Sequence, residues 1–174
     1  MGTSRLRRVL YWTTGVVVLL LAFITWDTLR YSMEPANSFE VNTPQSGPRV
    51  LIATQGSAFK DAVVAGVIDH LRTRSAYVKV VDVSALPNIK ERDWNAIVVI
   101  HTLEMNRPPP EAQAFVDRMG GGNRAVVLST SGGGDFKMQG IDAISSASKV
   151  SDVPMHVAQI TARLDAILDA QPER

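Results

Sequence analysis

Residues 49–65 read RVLIATQGSAFKDAVVA, and this stretch decides the fold. Val50, Leu51, Ile52 and Ala53 make a short unbroken apolar run, the pattern of a strand buried on both faces. Thr54, Gln55, Gly56 and Ser57 form a small polar turn, after which Val63, Val64, Val67, Ile68 and Leu71 recur at helical spacing. Strand, glycine-bearing turn and helix make the opening unit of a doubly wound α/β domain. Its turn aims the N–H groups of a helix N-terminus at an anionic group.

Downstream the alternation continues. A second strand is expected over 78–83, a third over 96–100, a fourth over 125–128 and a shorter fifth over 140–145. Residues 84–93 form a brief connection with one or two helical turns. A helix is expected over 110–119, with Phe115, Val116 and Met119 inward and Gly120 as its stop. Ser151 or Asp152 caps a last helix with Pro154 in its first turn, and Val157, Ile160, Leu164, Ile167 and Leu168 face the sheet. Strands alternating with helices predict a five-stranded parallel sheet covered on both sides, because the crossovers are right-handed.

Upstream, residues 9–26, VLYWTTGVVVLLLAFITW, carry no charge and follow Arg5, Arg7 and Arg8. At 1.5 Å per residue this stretch reaches roughly 27 Å, close to the hydrocarbon thickness of a bilayer. Tyr11, Trp12 and Trp26 sit near its ends, where amphipathic rings favour the headgroup region. The expectation is one N-terminal transmembrane helix over 9–26, with a cytoplasmic basic tail over 1–8. The positive-inside rule then places the domain outside the cytoplasmic membrane. A cleaved signal peptide is the rival, but no small-x-small site follows the apolar run. Residues 27–48, with Pro35, Pro44 and Pro48, read as an extended linker from which Phe39 and Val41 can dock on the domain.

The totals bound the function. With 174 residues, 45% of them hydrophobic, the chain has room for one domain of ordinary size and its accessories. A formal net charge of +1 gives no basis for a nucleic-acid partner. With no cysteine, disulfides, thiolate catalysis and cysteine-ligated metal sites are excluded. His70, His101 and His156 lack metal-ligand spacing.

In an open parallel sheet the ligand crevice lies outside the carboxyl ends of the strands. That rule collects three loops, 54–61, 101–109 and 129–137. Their candidate binding residues are Thr54, Gln55, Gly56, Ser57 and Ala58; Thr102, Leu103, Glu104, Met105 and Asn106; and Thr130, Ser131, Gly132 and Gly133. The glycines of the third loop let the backbone approach a ligand closely, or serve a plain turn. His101, Ser129 or Ser131, and Asp135 have the residue types of a hydrolytic triad, but no nucleophile elbow frames either serine. His101 at a strand end is expected to hydrogen-bond a loop carbonyl, Asp61 and Glu104 to be solvated, and His70 and His156 to lie on helix surfaces.

Residues 49–170 resemble the flavodoxin-like family. The resemblance rests on the strand placement, the turn around Gly56, and the segment HTLEMNRPPPEAQAFVD over 101–117. There Thr102 falls at the family's hydroxyl position and Met105 at its aromatic one. It implies a sheet order of 2-1-3-4-5 and an FMN cofactor, with the first loop on the phosphate and the other two flanking the ring. The family's phosphate turn carries hydroxyl residues where this chain has Ala53, Gln55 and Ala58, and Phe136 is the only aromatic of the two flanking loops. DAISSAS, residues 142–148, also resembles the acceptor motif of covalent flavoproteins, which would make Ser148 the FMN acceptor; an edge strand with a serine-rich turn is the other reading. The implied protein is a membrane-anchored flavodoxin-like carrier that binds FMN or a similar phosphorylated ligand for electron transfer with a membrane redox partner. The alternative is a ligand-free flavodoxin-like module that binds another protein at the membrane.

Overall fold

The computed structural model describes residues 3–31, 34–120 and 122–171. The chain forms two units, one up to residue 33 and one from Glu34 onward. In the first, α1 (Thr3–Tyr31) is a single helix with exposed apolar side chains along residues 10–24. Thr13 and Thr25 turn their hydroxyls back onto the Leu10 and Leu21 carbonyls. Among the described residues no helix is long and apolar enough to cross a membrane. This corrects the transmembrane helix expected over 9–26. Thr13, Thr14 and Gly15 interrupt its apolar character. Residues 1–2 of the expected tail and 32–33 of the expected linker lie outside the described residues, as do the side chains of Arg5 and Arg8.

The second unit is built on a mixed sheet. Its strands are β1 (Glu34–Pro35), β2 (Phe39–Val41), β3 (Arg49–Gly56), β4 (Tyr77–Asp82), β5 (Ala96–Thr102), β6 (Ala125–Thr130) and β7 (Ile144–Ser146). Six of them follow the order β2-β4-β3-β5-β6-β7, and β1 joins the end of β3. Pairs from β4 to β7 are parallel, whereas β2 runs antiparallel to β4 and β1 antiparallel to β3. The expected five-stranded, all-parallel sheet is therefore corrected to a mixed one, six strands in series with β1 added beside β3. The difference comes from residues 34–41, read as linker: Phe39 and Val41 pair with Val80 and Val78, and Lys79 meets Glu40 at 2.9 Å.

The helices are α2 (Ala58–Thr73), α3 (Pro110–Arg118) and α4 (Val153–Asp169). On β3 the apolar run is buried on both faces, as side-chain alternation requires. Val50 and Ile52 pack under α2 and α4, while Leu51 and Ala53 pack under α3 with Tyr77, Leu86 and Trp94. Fully burying each such aliphatic side chain is worth roughly 1.5–3 kcal/mol. A Cβ on Gly66 would stand 2.7 Å from a Val157 methyl, so the missing side chain lets α2 and α4 pack closely.

Between β4 and β5 the chain makes two short 3-10 turns, Val83–Asn88 and Glu91–Asp93, with Pro87 inside the first. The fifth parallel strand is shorter than expected over 140–145. The chain after β6 stays irregular until Ile144 reaches its partner Leu128, and Met138 is buried on the way.

Candidate functional site: the carboxyl edge of the sheet

Parallel pairing brings the ends of β3, β5 and β6 side by side, so the three predicted loops do meet at one edge. In the first loop, β3 remains extended through Gly56. There β1 pairs with it, Glu34 opposite Gly56 and Pro35 opposite Gln55. The Ala36 N–H, one residue on, donates to the Asp82 carboxylate at 2.9 Å. Ser57 is the N-cap of α2 and accepts the Lys60 N–H on its hydroxyl at 3.2 Å. Thr54 is buried, its hydroxyl donating to the Gln55 carbonyl, and Ala58 is exposed. The Gln55 side chain turns inward and accepts the Thr102 N–H at 2.8 Å.

Lys60 dominates this edge. It is 1% exposed, and its ammonium donates to the Thr102 hydroxyl at 2.7 Å. Burial pulls its pKa down from 10.5 to about 8, against the opposing pull of Asp61 and Glu104. Thr102 and Thr130 share a hydroxyl–hydroxyl bond of 2.9 Å, and the Thr130 hydroxyl also meets the His101 carbonyl.

His101 and Ser129 are fully buried and 3.1 Å apart. Ser129 Oγ accepts the Met138 N–H at 3.1 Å, which leaves its proton for His101 Nε2. The other ring nitrogen faces the Thr102 carbonyl at 3.4 Å, the kind of carbonyl partner expected for this histidine. That network assigns the Nδ1–H tautomer. Burial lowers the His101 pKa from 6.5 to about 4, so the imidazole is neutral. Asp135 folds back over Gly133 in its own loop. The histidine and serine of the imagined triad thus meet, but as a buried structural pair with its hydrogen bonds spent.

The second loop is a tight hairpin tip. Glu104 and Arg107 exchange both backbone hydrogen bonds at 2.9 Å. Met105 and Asn106, the two residues at the turn, have φ of 48° and 62°, the pattern of a type I′ turn. Leu103 is buried with its N–H on the Thr130 carbonyl, whereas Met105 is 96% exposed.

In the third loop the Ser131 N–H donates to the Ser146 carbonyl, and the Ser131 hydroxyl accepts the Gly134 N–H. Gly134 has φ +77°, and a Cβ there would lie 2.8 Å from the Ala147 nitrogen. The glycine therefore admits the chain's own backbone. Gly132 faces open space, and Phe136 is 51% exposed. Ser148 follows β7, exposed, with φ +57° and its N–H on the Ser146 hydroxyl.

Two buried polar side chains escaped the sequence reading. His156, expected on a helix surface, is 2% exposed and packs edge-on against Phe59 with ring centroids 5.8 Å apart. Lys60 is the other. The missed signal is the same for both. Lys60 lies four and seven residues before Val64 and Val67, and His156 four and eight before Ile160 and Leu164, so each continues an apolar stripe. His70 is part-buried and meets Asp165 at 3.0 Å.

No protein-family model and no curated protein matches this chain. Among solved structures it is similar to the Flv1 flavodiiron core from Synechocystis, at a TM-score of 0.51 and 12% identity, over 73% of this chain and 37% of that one. It is also similar to an oxidoreductase from Corynebacterium diphtheriae (TM-score 0.49, 9% identity, 74% of this chain and 100% of that one). A flavodoxin, WrbA-like protein from Agrobacterium tumefaciens gives 0.42 and 12%, over 72% and 100%. This chain spans little more than a third of the Flv1 core. At such identity the likeness to the Flv1 core speaks for fold alone, and with the strand order it makes the second unit an α/β domain of flavodoxin-like fold.

Proposed function

We propose that this domain is a flavodoxin-like module without a resident flavin, acting by contact with a partner protein. The observation that carries the reading is the self-satisfied carboxyl edge. A phosphate turn must present free backbone N–H groups in an open loop. Here Gln55 and Gly56 stay in strand conformation beside β1, Ser57 caps its own helix, and Gln55 closes onto Thr102. The Lys60 ammonium is engaged by the Thr102 hydroxyl, and Gly134 is filled by Ala147. These residues do not fit the phosphate of FMN.

What the edge does offer a partner is exposed apolar side chains on two neighbouring loops. Met105 stands at the hairpin tip and Phe136 on the neighbouring loop. Methionine adapts its flexible thioether chain to irregular apolar surfaces and an aromatic ring buries a large area, so both favour protein contacts.

The test is the visible spectrum of the purified full chain, followed by calorimetric titration with FMN. A colourless protein that gives no FMN binding heat is expected. A yellow protein, or saturable one-to-one FMN binding, would replace this reading with a flavin carrier in electron transfer. Flavin that survives denaturation and disappears in Ser148→Ala would place it covalently on that hydroxyl.

A further inference from the structure

At the opposite edge of the sheet, where the strands begin, the polar groups are not all satisfied. Arg49 opens β3. Its backbone N–H donates to the Asn95 side chain at 2.9 Å, and its carbonyl accepts the Asn95 N–H at 2.8 Å. Its guanidinium carbon lies 5.1 Å from the centre of the Trp94 ring and 5.6 Å from that of Tyr77. Those two rings stack 6.0 Å apart, inclined by 14°. The cation is thus held in place by aromatic faces and by a pinned backbone, and not by a counter-ion.

Arg49 Nε is buried and has no hydrogen-bond partner, the one such side-chain atom among the described residues. No carboxylate pairs with this guanidinium among those residues, whereas Arg72, Arg74, Arg118 and Arg163 each meet one. A buried N–H donor is seldom left without an acceptor.

A cavity of about 1010 Å³ opens beside it, lined by Arg49, Arg74, Arg92, Trp94, Asn95 and Gln171 among others. Asp93 and Asp169 also line it, but Asp169 is engaged by Arg74. Asn95 and Gln171 bond each other twice, bracing the wall with the end of α4. The cavity therefore combines space, a stacked guanidinium whose Nε has no acceptor, and a second, exposed arginine.

We propose that this amino-edge cavity binds the oxyanion of a small molecule, a phosphoryl or carboxylate group, with Arg49 as its principal donor and Arg92 as the second. A guanidinium fork matches both groups in geometry, and stacking removes the rotamer freedom that binding would otherwise cost. The site is independent of the carboxyl edge and of the reading proposed for it.

The experiment is isothermal calorimetry of the full chain at constant ionic strength, with inorganic pyrophosphate in one arm and citrate in the other. Saturable one-to-one binding of at least one probe is expected. Arg49→Gln should weaken it about tenfold or more. Arg49→Lys, which keeps the stacked charge and the fold but loses the fork, should fall between the two. Lys137→Gln, an exposed cation elsewhere, should leave the affinity unchanged. Preference for pyrophosphate or citrate identifies the group. Heats that fail to saturate with both probes, or affinities equal in wild type and Arg49→Lys, would overturn the proposal.

Discussion

The two edges of the sheet solve the same problem in opposite ways. Strand ends leave polar groups that must find partners. At the carboxyl edge the chain supplies those partners itself, from Lys60, Gln55, Ser129 and the incoming strand β1. At the amino edge it stations Arg49 on two aromatic rings and leaves its Nε without an acceptor beside a cavity. Doubly wound folds place ligands at the carboxyl edge. In this chain that edge is closed from within by Lys60, in the first turn of α2, and from outside by a two-residue strand from the lead-in. The lesson is that a crevice given by topology becomes a site only where its groups remain unsatisfied.

The largest effect that can break this contrast comes from Lys60. Its pKa is lowered in the fold, so between pH 8 and 10.5 the unfolded chain holds more protons and stability rises with pH. Below pH 8 the buried charge costs up to about 3 kcal/mol relative to the alkaline limit. Lys60→Met should abolish that slope in denaturant titrations between pH 8 and 10.5. At pH 7 it should be as stable as wild type or more so, since Thr102 keeps its bond to Thr130. A variant that is much weaker at pH 7 and keeps the slope would remove Lys60 from its place in the network.

His101 tests the same edge from the acid side. Its folded pKa of about 4 lies below the ordinary 6.5, so stability is full above pH 6.5 and is lost as pH falls through that window. The loss at pH 5 should be about 2 kcal/mol. Urea midpoints of wild type and His101→Asn at pH 7 and pH 5 measure it. The variant should lose the part of the slope that belongs to this ring, whatever its absolute stability.

Asp82→Ala is a smaller perturbation, aimed at the cover of the turn. It removes the carboxylate that accepts the Ala36 and Ser84 N–H groups at 2.9 Å each. A cost of about 1–2 kcal/mol is expected, together with faster hydrogen exchange at Gln55 and Gly56. Unchanged exchange there would mean that β1 stays on the turn without Asp82.

The smallest effect belongs to the amino side, where Asp165 joins His70 and Arg74 at 3.0 and 2.7 Å across α2 and α4. All three side chains are about one-third exposed, and solvent screens such pairs. Asp165→Ala should cost only about 0.5 kcal/mol in thermal or chemical unfolding. A loss of about 2–3 kcal/mol, the size of the pH-dependent contributions of Lys60 and His101, would erase the difference between the edges.

The sheet core was legible in residues 50–53 and 96–100, because a run apolar on both faces is stable only in a strand covered on both sides. The meeting of the loops that follow β3, β5 and β6 was legible for the same reason, since parallel order brings those strand ends together. The extra edge strand was not. Phe39, Glu40 and Val41 sit among prolines and polar residues, and three residues carry too little periodicity to announce a strand. They pair because β4 leaves an open edge, a fact of the assembled sheet. Nor was the state of the crevice legible. Gly56 read as part of a phosphate cradle, and the glycines of the third loop read equally as ligand contacts or a plain turn, yet Gly56 pairs with β1 and Gly134 receives Ala147.

By itself the sequence determined the α/β alternation, the apolar centre of the sheet and the edge at which its loops gather, all of which follow from local periodicity. Tertiary structure alone decided that Lys60 lies under that edge, that β1 is laid along its turn, and that Arg49 stands without an acceptor at the other end. These depend on which residues distant in sequence arrive to satisfy a buried polar group. Periodicity records which face of an element is covered, and it holds no record of what covers it.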